Sequence, residues 1–165
     1  THEDATLIRE LARNIPVVHS PNMSVGVNVL FKMIKEVAGI LGGDFDVEIL
    51  EAHHRMKKDS PSGTALHLGE VVAGALGRNL DMVASCIREG TNTMRAEKEL
   101  GMHVIRGGDI IGDHTVYFIG KGERIEINHR ALSRDMFSQG AIKAVKWIVD
   151  REPGLYAMKD VLGLK

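Results

Sequence analysis

Between Phe45 and Arg78 the chain reads as a strand, a polar loop and a helix that follow one another directly. From Phe45 to Ala52 the residues alternate, with Val47 and Ile49 on one face and Glu48 and Leu50 on the other, which is the period of a strand. From Gly63 to about Arg78, Leu66, Leu68, Val71, Val72 and Leu76 supply apolar positions of a helix. A strand candidate followed by a helix, like the β–turn–α order that precedes it at residues 15–41, looks like part of an α/β unit.

The flanking segments extend the pattern. Asp4 can cap a helix through Leu7, Ile8, Leu11 and Ala12, and Ile15-Pro-Val-Val-His19 is a short apolar strand. Ser20-Pro-Asn22-Met-Ser24 reads as a turn into a long helix through Val27, Leu30, Phe31, Ile34, Val37, Ala38 and Leu41, stopped by Gly42-Gly43. Residues 79–100 carry little signal, and Thr91-Asn-Thr-Met94 reads as a surface loop. From Met102 the pattern turns to strands: Met102–Arg106, a Gly107-Gly108 connection, a Gly112-Asp113 turn, His114–Ile119, a Gly120-Lys-Gly122 turn and Glu123–His129. These predict an antiparallel meander. A last helix over about 135–150, with Phe137, Ala141, Ala144, Val145 and Ile148 on one side, ends before Pro153-Gly154, and a short tail follows. The expected class is α/β (α+β), a mixed open sheet flanked by helices.

Composition matters mainly for what it excludes. A formal net charge of −1 gives no global attraction for nucleic acid or an anionic membrane, so any anion site must be local. No apolar run is long enough to span a bilayer. The single cysteine, Cys86, cannot form an intramolecular disulfide and fits a reducing compartment, so a cytoplasmic location is expected. The chain opens at Thr1 and runs at once into a helical pattern, which leads to the expectation of a fragment.

The loop after the central strand concentrates chemistry. His53, His54, Arg55, Lys57 and Lys58 precede Pro61-Ser-Gly-Thr64, which opens the helix. A helix start leaves N–H groups unpaired and carries partial positive charge, so Ser62, Gly63 and Thr64 can receive a carboxylate or phosphate. Lys57 and His54 can add charge or donors, and an imidazole such as His53 can pass protons near neutrality. Plainer roles fit the same residues: Ser62 and Thr64 as helix caps, one histidine in the core and the other solvated. A metal is disfavoured, because adjacent histidines on a strand point to opposite faces and the lysines would repel a cation. No metal ligands are assigned. The glycine-rich dinucleotide fingerprint is absent.

These residues also carry a resemblance. Glu51-Ala-His-His-Arg-Met-Lys-Lys-Asp-Ser-Pro-Ser-Gly-Thr-Ala65 resembles the signature of the 4-hydroxy-tetrahydrodipicolinate reductase (dihydrodipicolinate reductase) family, and so do four other stretches. They are Asn22-Met-Ser-Val-Gly-Val-Asn28, Arg106-Gly-Gly-Asp-Ile-Ile-Gly-Asp-His-Thr-Val116, Glu123–Arg134 and Pro153-Gly-Leu-Tyr156. The likeness covers nearly the whole chain. It implies that residues 1–22 are a remnant of a Rossmann-type nucleotide-binding domain. Residues 23–134 would be a substrate-binding and oligomerisation domain, and 135–165 a helix and tail returning to the nucleotide-binding domain. The tail of the Rossmann-type domain would thus come from both chain ends.

The resemblance further implies NADH- or NADPH-dependent reduction of 4-hydroxy-tetrahydrodipicolinate (dihydrodipicolinate) to tetrahydrodipicolinate, in lysine and diaminopimelate biosynthesis, by a homotetramer. It makes His53 and Lys57 catalytic, and gives His54, Gly63 and Thr64 the substrate carboxylates. Ser20, Pro21, Asn22, Met23, Arg134 and Phe137 would lie beside the cofactor, whose main binding loop is outside this chain. The alternative is a non-catalytic module that binds a dicarboxylate or oligomerises without the cofactor domain.

Overall fold

Strand β2 (Asp46–His53) has Val47, Ile49, Glu51, Ala52 and His53 buried, so it needs a partner on each edge and cover on at least one face. In the computed structural model, which describes residues 2–91 and 94–164, it has both. Strand β4 (Leu100–Arg106) pairs parallel along one edge, with His53 opposite Arg106. Strand β5 (Gly112–Ile119) pairs antiparallel along the other, with Glu51 opposite His114. β5 continues into β6 (Arg124–Ala131) through a turn closed by Gly120 N–H donating to Glu123 O. The two-residue β3 (Ala84–Ser85) pairs parallel with β4, giving a five-stranded mixed sheet in the order β3-β4-β2-β5-β6.

The expected meander is therefore corrected. Only β5 and β6 form a hairpin; β2 lies between β4 and β5. Leu100, Gly101 and Met102 are all buried, so β4 belongs inside the sheet and pairs with the other buried strand. Gly112 and Asp113 are the first residues of β5 and not a turn; the chain turns at Gly108-Asp109.

The face of the sheet that carries Val47, Ile49, Met102, Val116 and Phe118 is apolar at these positions, which with buried residues of two helices make up the core. Helix α2 (Val25–Leu41) supplies Leu30, Phe31, Ile34 and Ala38. Helix α3 (Gly63–Ala75) supplies Ala65, Leu68, Val72 and Ala73, while Leu66 is exposed. The stretch with little sequence signal contains α4 (Leu80–Val83) and β3, and then an ionic cluster. In that cluster Glu48 accepts from Arg88 at 2.8 Å and from Arg95 at 2.9 Å, and lies 2.7 Å from His103 Nε2. Of the expected Thr91–Met94 loop, Asn92 and Thr93 lie outside the described residues.

Two compact units divide the chain: residues 1–29 with 134–165, and residues 30–133. The first contains α1 (His2–Leu11), β1 (Pro16–Val18), α5 (Asp135–Ile148), β7 (Gly154–Tyr156) and α6 (Met158–Val161). β1 and β7 pair in parallel, Pro16 opposite Gly154, so both chain ends build this sheet. Three expectations need adjustment here. Helix α1 already begins at His2, which places Asp4 in its first turn and not at its cap. On α5 the buried positions are Gly140 and Ala144, whereas Phe137 and Val145 are exposed, because the helix is rotated to bring its smallest residue to the closest contact. Gly154 opens a strand and is more than a helix stop.

Gly140 shows how closely α5 approaches the segment after β1. A Cβ at this position would sit 1.8 Å from the carbonyl oxygen of Met23. Gly140→Ala is expected to force the helix off this segment and to destabilise the protein by about 1–3 kcal/mol, as overpacking does. Urea denaturation compared with the unmodified protein measures it, and an unchanged midpoint would show that the contact is not needed.

Candidate active site

The site grows from one buried acid. The inward-facing positions near the end of β2 fall on Glu51 and His53, so a charge and an imidazole point into the covered side of the sheet. Glu51 is 1% exposed. An isolated carboxylate would be very unfavourable there, and four donors prevent that. Arg106 Nη1 donates to Oε2 and Nη2 to Oε1, both at 2.8 Å, a two-pronged grip made possible by the parallel register of β4 with β2. The backbone N–H of Ser62 donates to Oε1 at 2.9 Å, and His53 Nδ1 lies 2.6 Å from Oε2. Burial works against ionisation of Glu51, but the bonds from Arg106, His53 and Ser62 outweigh it and hold the carboxyl below the usual range.

Ser62 joins this cluster to the helix. It is the N-cap of α3, its Oγ accepting from Ala65 N–H at 3.2 Å and lying 3.1 Å from His114 Nε2. Its own N–H is spent on Glu51, which corrects the expectation that Ser62 offers an N–H to a ligand. Gly63 and Thr64 are the first two residues of α3, where helical N–H groups have no intrahelical acceptor.

The basic loop is partly neutralised from within. Lys57 Nζ pairs with Asp59 Oδ1 at 2.8 Å, which keeps the Asp59 carboxyl below its ordinary value. His54 is half-buried, and Arg55 and Lys58 are exposed. The site therefore has a buried acid–imidazole pair beneath a cationic loop and a helix N-terminus. Such a set can hold an anion and exchange a proton with it. Among the described residues no group of three or more His, Cys, Asp or Glu side chains is arranged for a metal ion.

Three participants have no role that the sequence alone assigns. Glu51 and Arg106 stand in it only as members of longer motifs. The signal was a charged residue at an inward position of an otherwise apolar strand, but its partner could not be found without the register. His114 was the third. Its ring stands edge-on to His53 at 5.2 Å, and it is 4% exposed. Gly112 is tied to the same place, since a Cβ there would lie 2.9 Å from His53 Nε2.

The segments assigned to a cofactor lie in the other unit. Ser20, Pro21, Asn22 and Met23 follow β1, at the carboxyl end of a parallel strand. Ser20 Oγ accepts from Met158 N–H at 2.8 Å, and Asn22 Oδ1 accepts from Ser24 N–H at 2.8 Å. Pro21 is exposed, while Met23 packs against the Ala144, Met158 and Val161 cluster. Arg134 and Phe137 are exposed at the start of α5, the helix whose Gly140 touches Met23.

His114 gives the site a pH signature. Burial, followed by the charge of His53, pushes its imidazole down from 6.5 to about 4. Its Nδ1 is buried without a hydrogen-bond partner among the described residues, so a second N–H there would be unsatisfied. Between these two values the unfolded chain binds the proton and the folded chain does not, so this histidine's contribution to stability falls as the pH is lowered from 6.5 towards about 4. Histidine ring NMR should show His114 still neutral through most of that interval. A midpoint near 6.5 would disprove it.

Comparison with known proteins shows the family. A family model described as dihydrodipicolinate reductase, C-terminus, matches residues 26–162. Relatives named 4-hydroxy-tetrahydrodipicolinate reductase share 64% identity in Trichlorobacter lovleyi and 65% in Geotalea uraniireducens, each over 165 residues covering 100% of this chain and 62% of the relative. The one in Geobacter sulfurreducens is 62% identical with the same coverage. The chain thus spans about 62% of the length of these curated relatives. Among solved structures, a dipicolinate-bound dihydrodipicolinate reductase from a Paenisporosarcina species has the same fold, with a TM-score of 0.66 at 21% identity, over 95% of this chain and 59% of that one. A family match that runs from residue 26 to residue 162 shows that the chain belongs to the dihydrodipicolinate reductase family.

Proposed function

We propose that this chain is the substrate-binding and proton-donating part of an NAD(P)H-dependent reductase of lysine and diaminopimelate biosynthesis. The observation that carries the reading is His53, an imidazole backed by an ionised carboxylate and set beside a cationic loop and a helix N-terminus. The reaction is 4-hydroxy-tetrahydrodipicolinate plus NAD(P)H plus a proton giving tetrahydrodipicolinate, NAD(P)⁺ and water. Adding a hydride leaves an electron pair on the ring, and a proton must arrive to neutralise it. His53 donates that proton, and Lys57 stabilises the developing negative charge. His54, Gly63 and Thr64 hold the carboxylates of the cyclic dicarboxylate, two of them at the start of α3 where donors converge. The neighbouring structure's dipicolinate supports a substrate of this class.

The nicotinamide cofactor supplies the hydride. Ser20, Pro21, Asn22, Met23, Arg134 and Phe137 suit a place beside it, because ligands of parallel α/β sheets bind beyond the carboxyl ends of the strands and Ser20–Met23 follow such an end. In domain terms, residues 1–22 and 135–165 would serve the nucleotide and 23–134 the substrate and self-association. Strand β6 stands at an edge of the five-stranded sheet and offers main-chain groups to another copy, which supports a homotetramer. The single cysteine, free and exposed, suits a cytoplasmic enzyme.

In the full-length protein, His53→Ala and Lys57→Ala should each lower kcat by about 10²–10⁴-fold, the range for lost proton transfer. Steady-state oxidation of NAD(P)H with the dicarboxylate measures this, and near-normal turnover in both variants would sink the assignment. Thr64→Val should instead raise the Michaelis constant for the dicarboxylate with little change in kcat, as lost uniform binding does. Titration with dipicolinate provides the independent check, and unchanged affinity would remove Thr64 from the carboxylate site.

A further inference from the structure

We infer that Glu51 is the positioning residue of His53: its carboxylate fixes the imidazole proton on Nδ1 and leaves Nε2 as the nitrogen that carries and releases the transferred proton. This rests on the proposed reductase chemistry only for its use of the proton; the orientation itself stands on the geometry.

Both oxygens of Glu51 are fully engaged, and by donors of different kinds. Oε1 receives the Ser62 N–H and Arg106 Nη2, neither of which can act as an acceptor. Oε2 receives Arg106 Nη1 and faces His53 Nδ1, which can change role by moving its proton. With an ionised carboxylate behind it, Nδ1 must carry hydrogen, and a carboxylate in this position fixes both tautomer and ring orientation. On the other ring edge Gly112 leaves room for the imidazole, since a Cβ there would lie 2.9 Å from Nε2. Nδ1 is thus committed to Glu51, and Nε2 is the ring nitrogen that is not. His114, kept neutral by burial, adds no positive charge beside an imidazolium at His53.

The proton balance follows. The imidazolium of His53 carries N–H on both nitrogens. It releases the Nε2 proton to the ring that has received the hydride, becoming the neutral Nδ1–H form still bonded to Glu51. Solvent then returns a proton to Nε2. Glu51 remains ionised throughout, stabilised by Arg106, and does not touch the substrate.

The Glu51→Gln variant separates this from a purely structural role. An amide meets least conflict with its oxygen towards Ser62 and Arg106 Nη2, where neither donor can change. Its NH₂ then displaces Arg106 Nη1 and faces His53 Nδ1, which can accept from it only by moving its own proton to Nε2. Histidine labelled with ¹⁵N in the full-length protein reports the tautomer directly. Neutral His53 of the unmodified protein should show hydrogen on Nδ1. The variant, with its fold checked by its amide spectrum, should show it on Nε2. Its kcat should fall by about 10²–10⁴-fold while the Michaelis constant for the dicarboxylate stays near normal. Hydrogen on Nε2 in the unmodified protein overturns the inference, and that measurement decides even if the variant does not fold. A folded variant with unaltered tautomer or unaltered kcat also overturns it. If the tautomers behave as stated but the unmodified protein never oxidises NAD(P)H with the dicarboxylate, the reductase reading fails and the orientation of His53 by Glu51 stands.

Discussion

The ion pair between Glu51 and Arg106 is the constraint on which the site depends. A carboxylate 1% exposed can remain charged only if donors surround it, and here they come from two distant segments and from its own strand. Arg106 ends β4, Ser62 caps α3 and His53 ends β2. The bonds from Arg106 and Ser62 therefore have two effects: they keep Glu51 ionised and they tie β4 and α3 to the centre of the sheet. Removing one partner of such a buried pair typically costs about 3–5 kcal/mol, because the other charge is left uncompensated. The same carboxylate faces the His53 imidazole, so the buried pair and the candidate site share one set of contacts.

The two-residue period of β2 distributes charge to both faces of the sheet. Glu51 and His53 go to the covered side and build the site. Asp46 and Glu48 go to the other side, where Arg88, Arg95 and His103 gather around them. Gly101 leaves room for this, since a Cβ there would overlap the Glu48 carboxylate at 1.5 Å. That outer cluster holds the segment before β4 onto the sheet. Partial exposure screens its charges, so its energetic weight is small beside that of the buried pair.

Strand and helix periods were legible where one face of an element is covered. The strand from Phe45, the helix from Gly63 and the helix ending before Gly42 all lie within a residue or a few of their expected positions. The meander was misread because alternation identifies strands without saying which strands pair. β4 and β5 are consecutive in the chain, yet β2 lies between them, since two-sided burial favours the centre of a sheet. The α5 stripe was misread because a glycine counts as nothing on an apolar scale, although it is the residue that permits the closest contact. In the site, His53, Lys57 and the helix start at Gly63 were visible as a cluster along the chain. Arg106 and His114 could not be placed with it, being more than fifty residues away from Glu51 or Ser62 in sequence.

By itself the sequence determined the class of fold, the location of the basic loop between a strand and a helix, and the family to which those motifs belong. These follow from local properties: side-chain period, helix-start chemistry and the order of residues in a motif. Only the tertiary structure decided which carboxylate meets which cation, that the Ser62 N–H is spent on Glu51, and which nitrogen of His53 faces that carboxylate. Those depend on strand register and on burial. Both emerge only when distant segments come together, because hydrogen bonds and desolvation act over a few ångströms and not along the chain.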